Sequence, residues 1–366
     1  MRDVTMEPGR KLVMTCDAAG GVWTYALDLV RGLRRHGIES VLAGFGPAPA
    51  EAQLAAAREL AEVRWTGLPL DWMVRDRAEL SGVAPALAAL AAETGADAVQ
   101  VNAPSQAAGL ATDARVIAVS HSCVVTWFRA VRGCDVPHDW RWHLEANADG
   151  LARADHAVAP SRAHADLTVA CYPGCRAPAV VPNAIGAVEA GTRRQPFVYA
   201  AARWWDEGKD AATLDAVAAK VDWPVLAFGP TEREGVAPVH FAHTRPRGDR
   251  PHAEVRRAAG LAGIFVSPSR YEPFGLAALE AAAGGAALVL SDIPTYREIW
   301  EDAALFAPPR DAAAFAARIN DLARDLRLRA RLAEAARQRA ARFSLDAQAQ
   351  AMAALFAGAL HEREPA

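Results

Sequence analysis

The chain has 366 residues, more than one ordinary hydrophobic core organises, so two domains are expected and a single small module is excluded. Hydrophobic residues make up 52% and charged residues 23%, which excludes a disordered or fibrous chain. Lys plus Arg number 40 against 43 Asp plus Glu, a net charge of −3, so no global basic field draws phosphate backbones and nucleic acid is not an expected partner.

Met1 to Lys11 carries charges without an apolar run fit for a signal peptide, and no stretch reaches the roughly 18 apolar residues of a membrane span. The expectation is a cytoplasmic protein with no transmembrane segment. Lys11–Thr15 predicts a strand, Cys16–Gly21 a tight loop, and Val22–His36 a helix with its apolar stripe at Val22, Ala26, Leu29, Val30 and Leu33. Arg34, Arg35 and His36 suit the negative end of that helix, and Gly37 stops it. Strands are predicted near Ser40–Phe45, Ala98–Asn102, Arg115–Ser120 and His156–Ala159, with helices between them whose alanine content helix propensity explains. Short apolar runs alternating with amphipathic ones mark strands buried on both faces by crossover helices.

At Val180–Ile185 and the polar Glu189–Gln195 the composition turns linker-like. A second series of strands follows at Phe197–Ala201, Val225–Phe228, Gly263–Pro268, Ala286–Ser291 and Ala304–Ala307. Residues 1–188 are therefore expected as one α/β domain and 189–344 as another. The Ala-, Arg- and Leu-rich tail from Asp311 reads as packing helices, with a coiled coil as the alternative; its last helix, about Leu345 to His361 within 345–366, is free to cross to the first domain. Five cysteines lack zinc spacing and read as free thiols.

Chemistry concentrates in Ser267-Pro-Ser-Arg-Tyr-Glu-Pro-Phe-Gly-Leu-Ala-Ala-Leu-Glu280. A strand ends at Pro268, a loop carries Glu272, and a helix begins near Phe274, Gly275 and Leu276, where unpaired amides and the positive dipole end suit a phosphate. Glu272 before that helix and Glu280 within it can take hydroxyls on either side of the anion, since each carboxylate accepts more than one hydrogen bond. The ligand so described is a nucleotide sugar. A capped helix start with a solvated Glu280 is the structural alternative.

With Gly284-Gly285 closing the helix before another apolar strand, the segment resembles that of the family 4 glycosyltransferases, retaining enzymes with two Rossmann-like domains facing across a cleft, the GT-B fold. The resemblance extends over most of the chain. It implies that Arg203 and Lys209, in Ala201-Ala-Arg-Trp-Trp-Asp-Glu-Gly-Lys209, neutralise the donor diphosphate as charge develops on it. Asp210 departs from the pattern, since many relatives have Gly or Asn there. Gly20-Gly21, opening the first helix at the carboxyl edge of its sheet, is implied to approach the donor across the cleft, where missing Cβ atoms permit close backbone approach. His121, in Ser120-His-Ser122, is similar to the family's strand-end histidine that contacts the donor hexose. Asn183 matches an interdomain turn and serves equally as an Asx turn or a ligand contact.

Ten tryptophans are many for 7% aromatic content, and Trp23, Trp127, Trp140, Trp142, Trp204 and Trp205 fall near the expected cleft loops. Sugar rings stack on such faces, and core packing explains each one as well. Trp127, Arg129 and Trp140 are the candidate acceptor wall. The implied activity is transfer of a hexosyl group from a UDP-, GDP- or ADP-sugar to a hydroxyl of a sugar, glycan or small molecule, with retention. No essential metal or cofactor is expected: no Asp-x-Asp is present, and Arg203 and Lys209 replace its cation. A nucleotide-sugar 2-epimerase and a non-catalytic nucleotide-sugar-binding protein are the alternatives.

Overall fold

The computed structural model describes residues 10–18, 20–186, 188 and 194–358. Most of the Met1–Lys11 segment, most of the polar Glu189–Gln195 linker, and His361 lie outside the described residues. The chain divides into two compact units, Met1–Ala184 with Ser344–Ala366, and Ile185–Phe343.

The first unit is built on seven parallel strands: β1 (Arg10–Asp17), β2 (Ile38–Phe45), β3 (Glu62–Trp65), β4 (Ala98–Val101), β5 (Arg115–Val119), β6 (His156–Ala159) and β7 (Ala179–Val180). Their spatial order is β3-β2-β1-β4-β5-β6-β7. Its helices are α1 (Gly21–Arg34), α2 (Glu51–Arg58), α3 (Val83–Thr94), α4 (Val124–Trp127), α5 (Arg141–Arg153) and α6 (Arg162–Cys171). Strand alternation sends Leu12, Met14 and Leu42 to the face covered by Leu29, Val30 and Leu33 of α1. Val13, Val99 and Val101 go to the opposite face, against Leu87 and Leu90 of α3. Burying each such side chain stabilises the unit by roughly 1.5–3 kcal/mol.

The second unit carries β8 (Gln195–Ala201), β9 (Val225–Phe228), β10 (Arg245–Gly248), β11 (Ala262–Ser267), β12 (Ala287–Ser291) and β13 (Ala304–Ala307), all parallel, in the order β10-β9-β8-β11-β12-β13. Between them run α7 (Ala211–Ala218), α8 (His252–Leu261), α9 (Leu276–Gly284) and α10 (Pro294–Trp300), and after β13 come α11 (Ala312–Arg324) and α12 (Leu326–Ala340). Val198, Ala200 and Ile264 face Leu214, Phe315 and Ile319, while Tyr199, Phe265 and Leu288 face Leu279, Trp300 and Ala336. The tail from Asp311 is therefore a set of packed helices. The last helix, α13 (Leu345–Phe356), lies on α1 in the first unit. Gly32 of α1 admits it, since a Cβ there would stand 2.6 Å from Ala349 Cβ.

Several boundaries differ from the sequence expectation. Helix α1 starts at Gly21 and ends at Arg34, with Gly37 in the left-handed region just beyond. Strands β3, β7 and β10 carry no apolar run: Glu62–Trp65 alternates exposed and half-buried residues on an edge, β7 is two residues long, and β10 reads Arg-Pro-Arg-Gly. Edge strands are held by backbone pairing to one neighbour and need no apolar signature. All five cysteines are free.

In both sheets the chain winds outward one way and returns to the other side of its first strand. The reversal falls between β1 and β4 in one unit and between β8 and β11 in the other. Loops leaving the carboxyl ends of those strands meet at the reversal, where open α/β sheets bind ligands.

Candidate active site

In the second unit, the loops after β8 and β11 carry the expected donor residues. The β8 loop is anchored by Trp204, which is buried and donates its indole N–H to Phe228 O at 2.9 Å. Trp204 is thus a core residue and presents no stacking face. Asp206 accepts from Gly208 N at 2.9 Å and so turns the chain through Glu207–Lys209. Asp210 follows at φ 53°, in the left-handed region that Gly and Asn also occupy readily, and its carboxylate caps α7 through Thr213. The departure at Asp210 therefore leaves the loop its turn.

Three bonds brace the two loops. Arg270 N donates to Gly208 O at 2.8 Å, Arg270 Nη1 meets Glu207 Oε1 at 3.2 Å, and Lys209 Nζ meets Glu272 Oε1 at 2.5 Å. Lys209 and Glu272 are only 14% and 16% exposed, so water screens their attraction weakly. Behind Glu272, Ser269 Oγ reaches Oε1 at 3.4 Å, and Ser267 Oγ joins Ser269 Oγ at 3.0 Å and Tyr296 OH at 2.8 Å. Burial first, and the charge of Glu272 second, push the Tyr296 hydroxyl well above its ordinary pKa, which keeps it a neutral hydrogen-bonding group.

Gly275 sits at φ 93° before α9, and a Cβ there would meet Tyr296 Cε1 at 2.8 Å, so both backbone and space demand glycine. The helix start has no side-chain cap and no acidic residue in its first turn. The amides from Leu276 onward thus remain available to an anion. Phe274 is buried against Phe343 at a 5.4 Å ring separation, which makes its side chain core and leaves only its backbone for a ligand. Glu280, buried further along α9, accepts from His252 Nε2 at 2.8 Å. Arg203 lies 3.9 Å from Asp206 and 5.3 Å from the Trp205 ring, and Arg233 lies 4.8 Å from the same ring. Burial, then the charge of Arg203, lower the Arg233 pKa against the pull of Asp206. Positive charge is thus gathered around Trp205. A groove of about 600 Å³ between Ala211–Lys220 and Val239–His243 lies elsewhere on this unit and contains none of these site residues.

In the first unit, Gly20 caps α1 with extended backbone and no side-chain bond, Gly21 is its first residue, and no acidic residue occupies the first turn. Next to β1, a buried polar network forms at the ends of β4 and β5. Thr15 Oγ1 donates to Gln106 Oε1 at 2.7 Å and accepts from Asn102 N at 2.8 Å, and Asn102 Nδ2 donates to Thr15 O at 2.5 Å. Because a carbonyl only accepts, that last bond orients the Asn102 amide. Its Oδ1 then receives Gln100 Nε2 at 3.0 Å and His121 Nε2 at 3.1 Å. His121 Nε2 must carry the proton, which leaves Nδ1 as a lone-pair acceptor. Burial, then the neighbouring His164, lower the His121 pKa to about 3, and the ring packs edge-on against Tyr25 at 4.4 Å.

Trp127 and Trp140 both border Phe128, at 5.4 and 5.7 Å, and Arg132 lies over Trp127 and Phe128. Trp142 stacks on His143 at 3.6 Å, and Arg129 reaches Asp135 at 3.6 Å. Trp23 packs in the core against Trp65, and Asn183 is buried at the end of the unit. Among the described residues, no group of three or more His, Cys, Asp or Glu could hold a metal ion, and no helix is long and apolar enough to cross a membrane.

Two family models match this chain: Glycosyltransferase Family 4 over residues 19–187 and Glycosyl transferases group 1 over residues 239–339. The chain belongs to the family 4, group 1 glycosyltransferases. It is 40% identical over 126 residues to the glycogen synthase of Mycobacterium tuberculosis, a match covering 33% of this chain and 30% of that protein. The likeness thus spans less than a third of the relative's length. Among solved structures, sucrose-phosphate synthase from Thermosynechococcus elongatus superposes with a TM-score of 0.79 at 18% identity, over 96% of this chain and 99% of that one. HepE from Anabaena, solved in complex with UDP-glucose, superposes at 0.73 with 16% identity, over 96% and 100%. These likenesses carry the fold, the GT-B arrangement of two parallel α/β units.

Sequence reasoning passed over Tyr296, His252, Arg233, Asn102 and Phe128. Asn102 and Phe128 offered a signal, the first as the end of a predicted strand and the second as a third aromatic beside Trp127. Tyr296, His252 and Arg233 reach their partners from other loops and helices, and nothing local marks them.

Proposed function

We propose that the protein transfers a hexosyl group from a nucleoside-diphosphate sugar to an acceptor hydroxyl, with retention of configuration and without an essential metal. The observation that carries this reading is the Lys209–Glu272 pair, largely buried beside the uncapped start of α9. The α9 amides and the ammonium of Lys209 take the donor diphosphate, and Arg203 adds a second cation. As the bond from the anomeric carbon to the phosphate oxygen breaks, negative charge grows on the leaving diphosphate, and donors already aimed at it stabilise that charge. The acceptor oxygen bonds to the same carbon on the same face, and its proton passes to the departing phosphate oxygen. No side chain is needed as a strong base. Glu272 exchanges its bond to Lys209 for the sugar hydroxyls, and Glu280 takes the ribose. Neutral His121 offers Nδ1 to a sugar hydroxyl. Trp127, Arg129 and Trp140 form the acceptor wall, suited to a sugar, glycan or small hydroxylated molecule.

Calorimetric titration with UDP, GDP and ADP, with and without EDTA, tests the reading and identifies the base. One nucleotide is expected to bind in the micromolar range, indifferent to EDTA, and to lose affinity in Arg203→Ala. Failure of all three to bind removes the donor-site assignment.

A further inference from the structure

Glu280 is a carboxylate on the buried side of α9, its side chain 8% exposed. A charge in that position is costly unless hydrogen-bonded. Among the described residues its hydrogen-bond partner is His252, the first residue of α8, at 2.8 Å from Nε2 to Oε1. A carboxylate can only accept, so Nε2 carries the proton and Oε1 is occupied. Tyr199 lies near enough to feel the charge of Glu280, yet its buried hydroxyl makes no hydrogen bond. Among the described residues, His252 is therefore the one hydrogen-bonding restraint on the carboxylate plane.

The two helices that carry the pair lie close together further along their length. A Cβ on Gly284 would stand 3.2 Å from Ala259 O and from Gly260, so α8 and α9 pack with almost nothing between them. His252 is half exposed, at the carboxyl-edge end of α8, just after the loop that leaves β10.

We propose that His252 is a positioning residue for ribose recognition. By holding Oε1 it orients Oε2 of Glu280 toward the vicinal hydroxyls of the donor's ribose, and so sets the preference for a ribonucleotide over a deoxyribonucleotide. This rests on the reading that Glu280 grips the ribose. A freely rotating carboxylate would still accept hydroxyls, but would lose orientation each time one bound.

The test compares UDP, GDP and ADP with their 2′-deoxy counterparts, by calorimetry on the full chain. In His252→Ala the ribonucleotide affinity is expected to fall about 5- to 20-fold, with the deoxynucleotide affinity little changed, so that the ratio collapses. His252→Gln, which offers an N–H donor at similar reach, restores the ratio to within about twofold. In turnover, the loss in His252→Ala appears in the donor KM and leaves kcat nearly intact. Equal weakening of both nucleotides, or a glutamine variant as poor as alanine, overturns the proposal. Glu280→Ala separates the two readings. If it abolishes the ratio while His252→Ala preserves it, the histidine is irrelevant; if it preserves the ratio, Glu280 does not bind ribose.

Discussion

Removing Lys209 would leave Glu272 as a mostly buried carboxylate without its cation. Lys209→Ala is therefore expected to lower stability by about 1–3 kcal/mol, the usual cost of a stranded polar partner, and to lower turnover by the equivalent of roughly 2–4 kcal/mol. Adding Glu272→Gln should recover most of the stability and none of the activity. A double-mutant cycle read by denaturant unfolding and by initial rates separates the two effects; recovery of both would assign the pair a purely structural role. The histidines make a different prediction. His121 is lowered to about 3 and His164 to about 4, both chiefly by burial. Because these values lie below the unfolded value near 6.5, the unfolded chain binds more protons below that pH. Their contribution is complete above about pH 6.5 and is lost on acidification, at up to roughly 1.4 kcal/mol per pH unit for each ring. Urea unfolding at pH 7, 6 and 5 should show this slope, and His164→Gln should flatten it. Activity between pH 5 and 8 should show no limb belonging to His121.

At the scale of elements, glycines decide how closely two pieces approach. In Gly275→Ala, the left-handed backbone costs about 1–2 kcal/mol, and the new Cβ must push Tyr296 aside. The start of α9 would shift with it. Both melting temperature and nucleotide affinity should fall, and an unchanged affinity would mean that the α9 amides do not hold the phosphate. Gly32→Val acts elsewhere. Its Cβ would stand 2.6 Å from Ala349, so α13 must move away from α1 at a cost of about 1–3 kcal/mol, the range for overpacked cores. Nucleotide binding, proposed for the other unit, should survive, and thermal unfolding with and without nucleotide distinguishes the two variants.

At the scale of the molecule, the first unit is completed by chain that has already passed through the second. Met352, Leu355 and Phe356 belong to the same core as Leu12 and Leu29. Ending the chain after Phe343 is expected to expose that core and destabilise the first unit by several kcal/mol, since each large side chain lost is worth about 1.5–3 kcal/mol. Limited proteolysis of the truncated chain should cut first within the first unit; equal resistance of both would show that α13 is dispensable.

Much of this was legible from local pattern. Strands such as Val225–Phe228 and Ala287–Ser291 announce themselves because a strand covered on both faces must be apolar throughout, and the Ser267–Glu280 segment because a phosphate-ready helix start needs glycine and lacks a cap. Of the four edge strands only β13 was legible, because Ala304–Ala307 is apolar throughout; β3, β7 and β10 lack such a run, and backbone pairing to one neighbour holds them without it. Nor did local pattern show that Phe274 and Trp204 turn inward. What tertiary structure alone decided is which distant residues meet. Lys209 reaches Glu272 because β8 and β11 are neighbours at the reversal of strand order, and His252 reaches Glu280 because Gly284 lets α8 lie close on α9. Periodicity records how a segment meets water and core, and it is silent on which strand lies beside which.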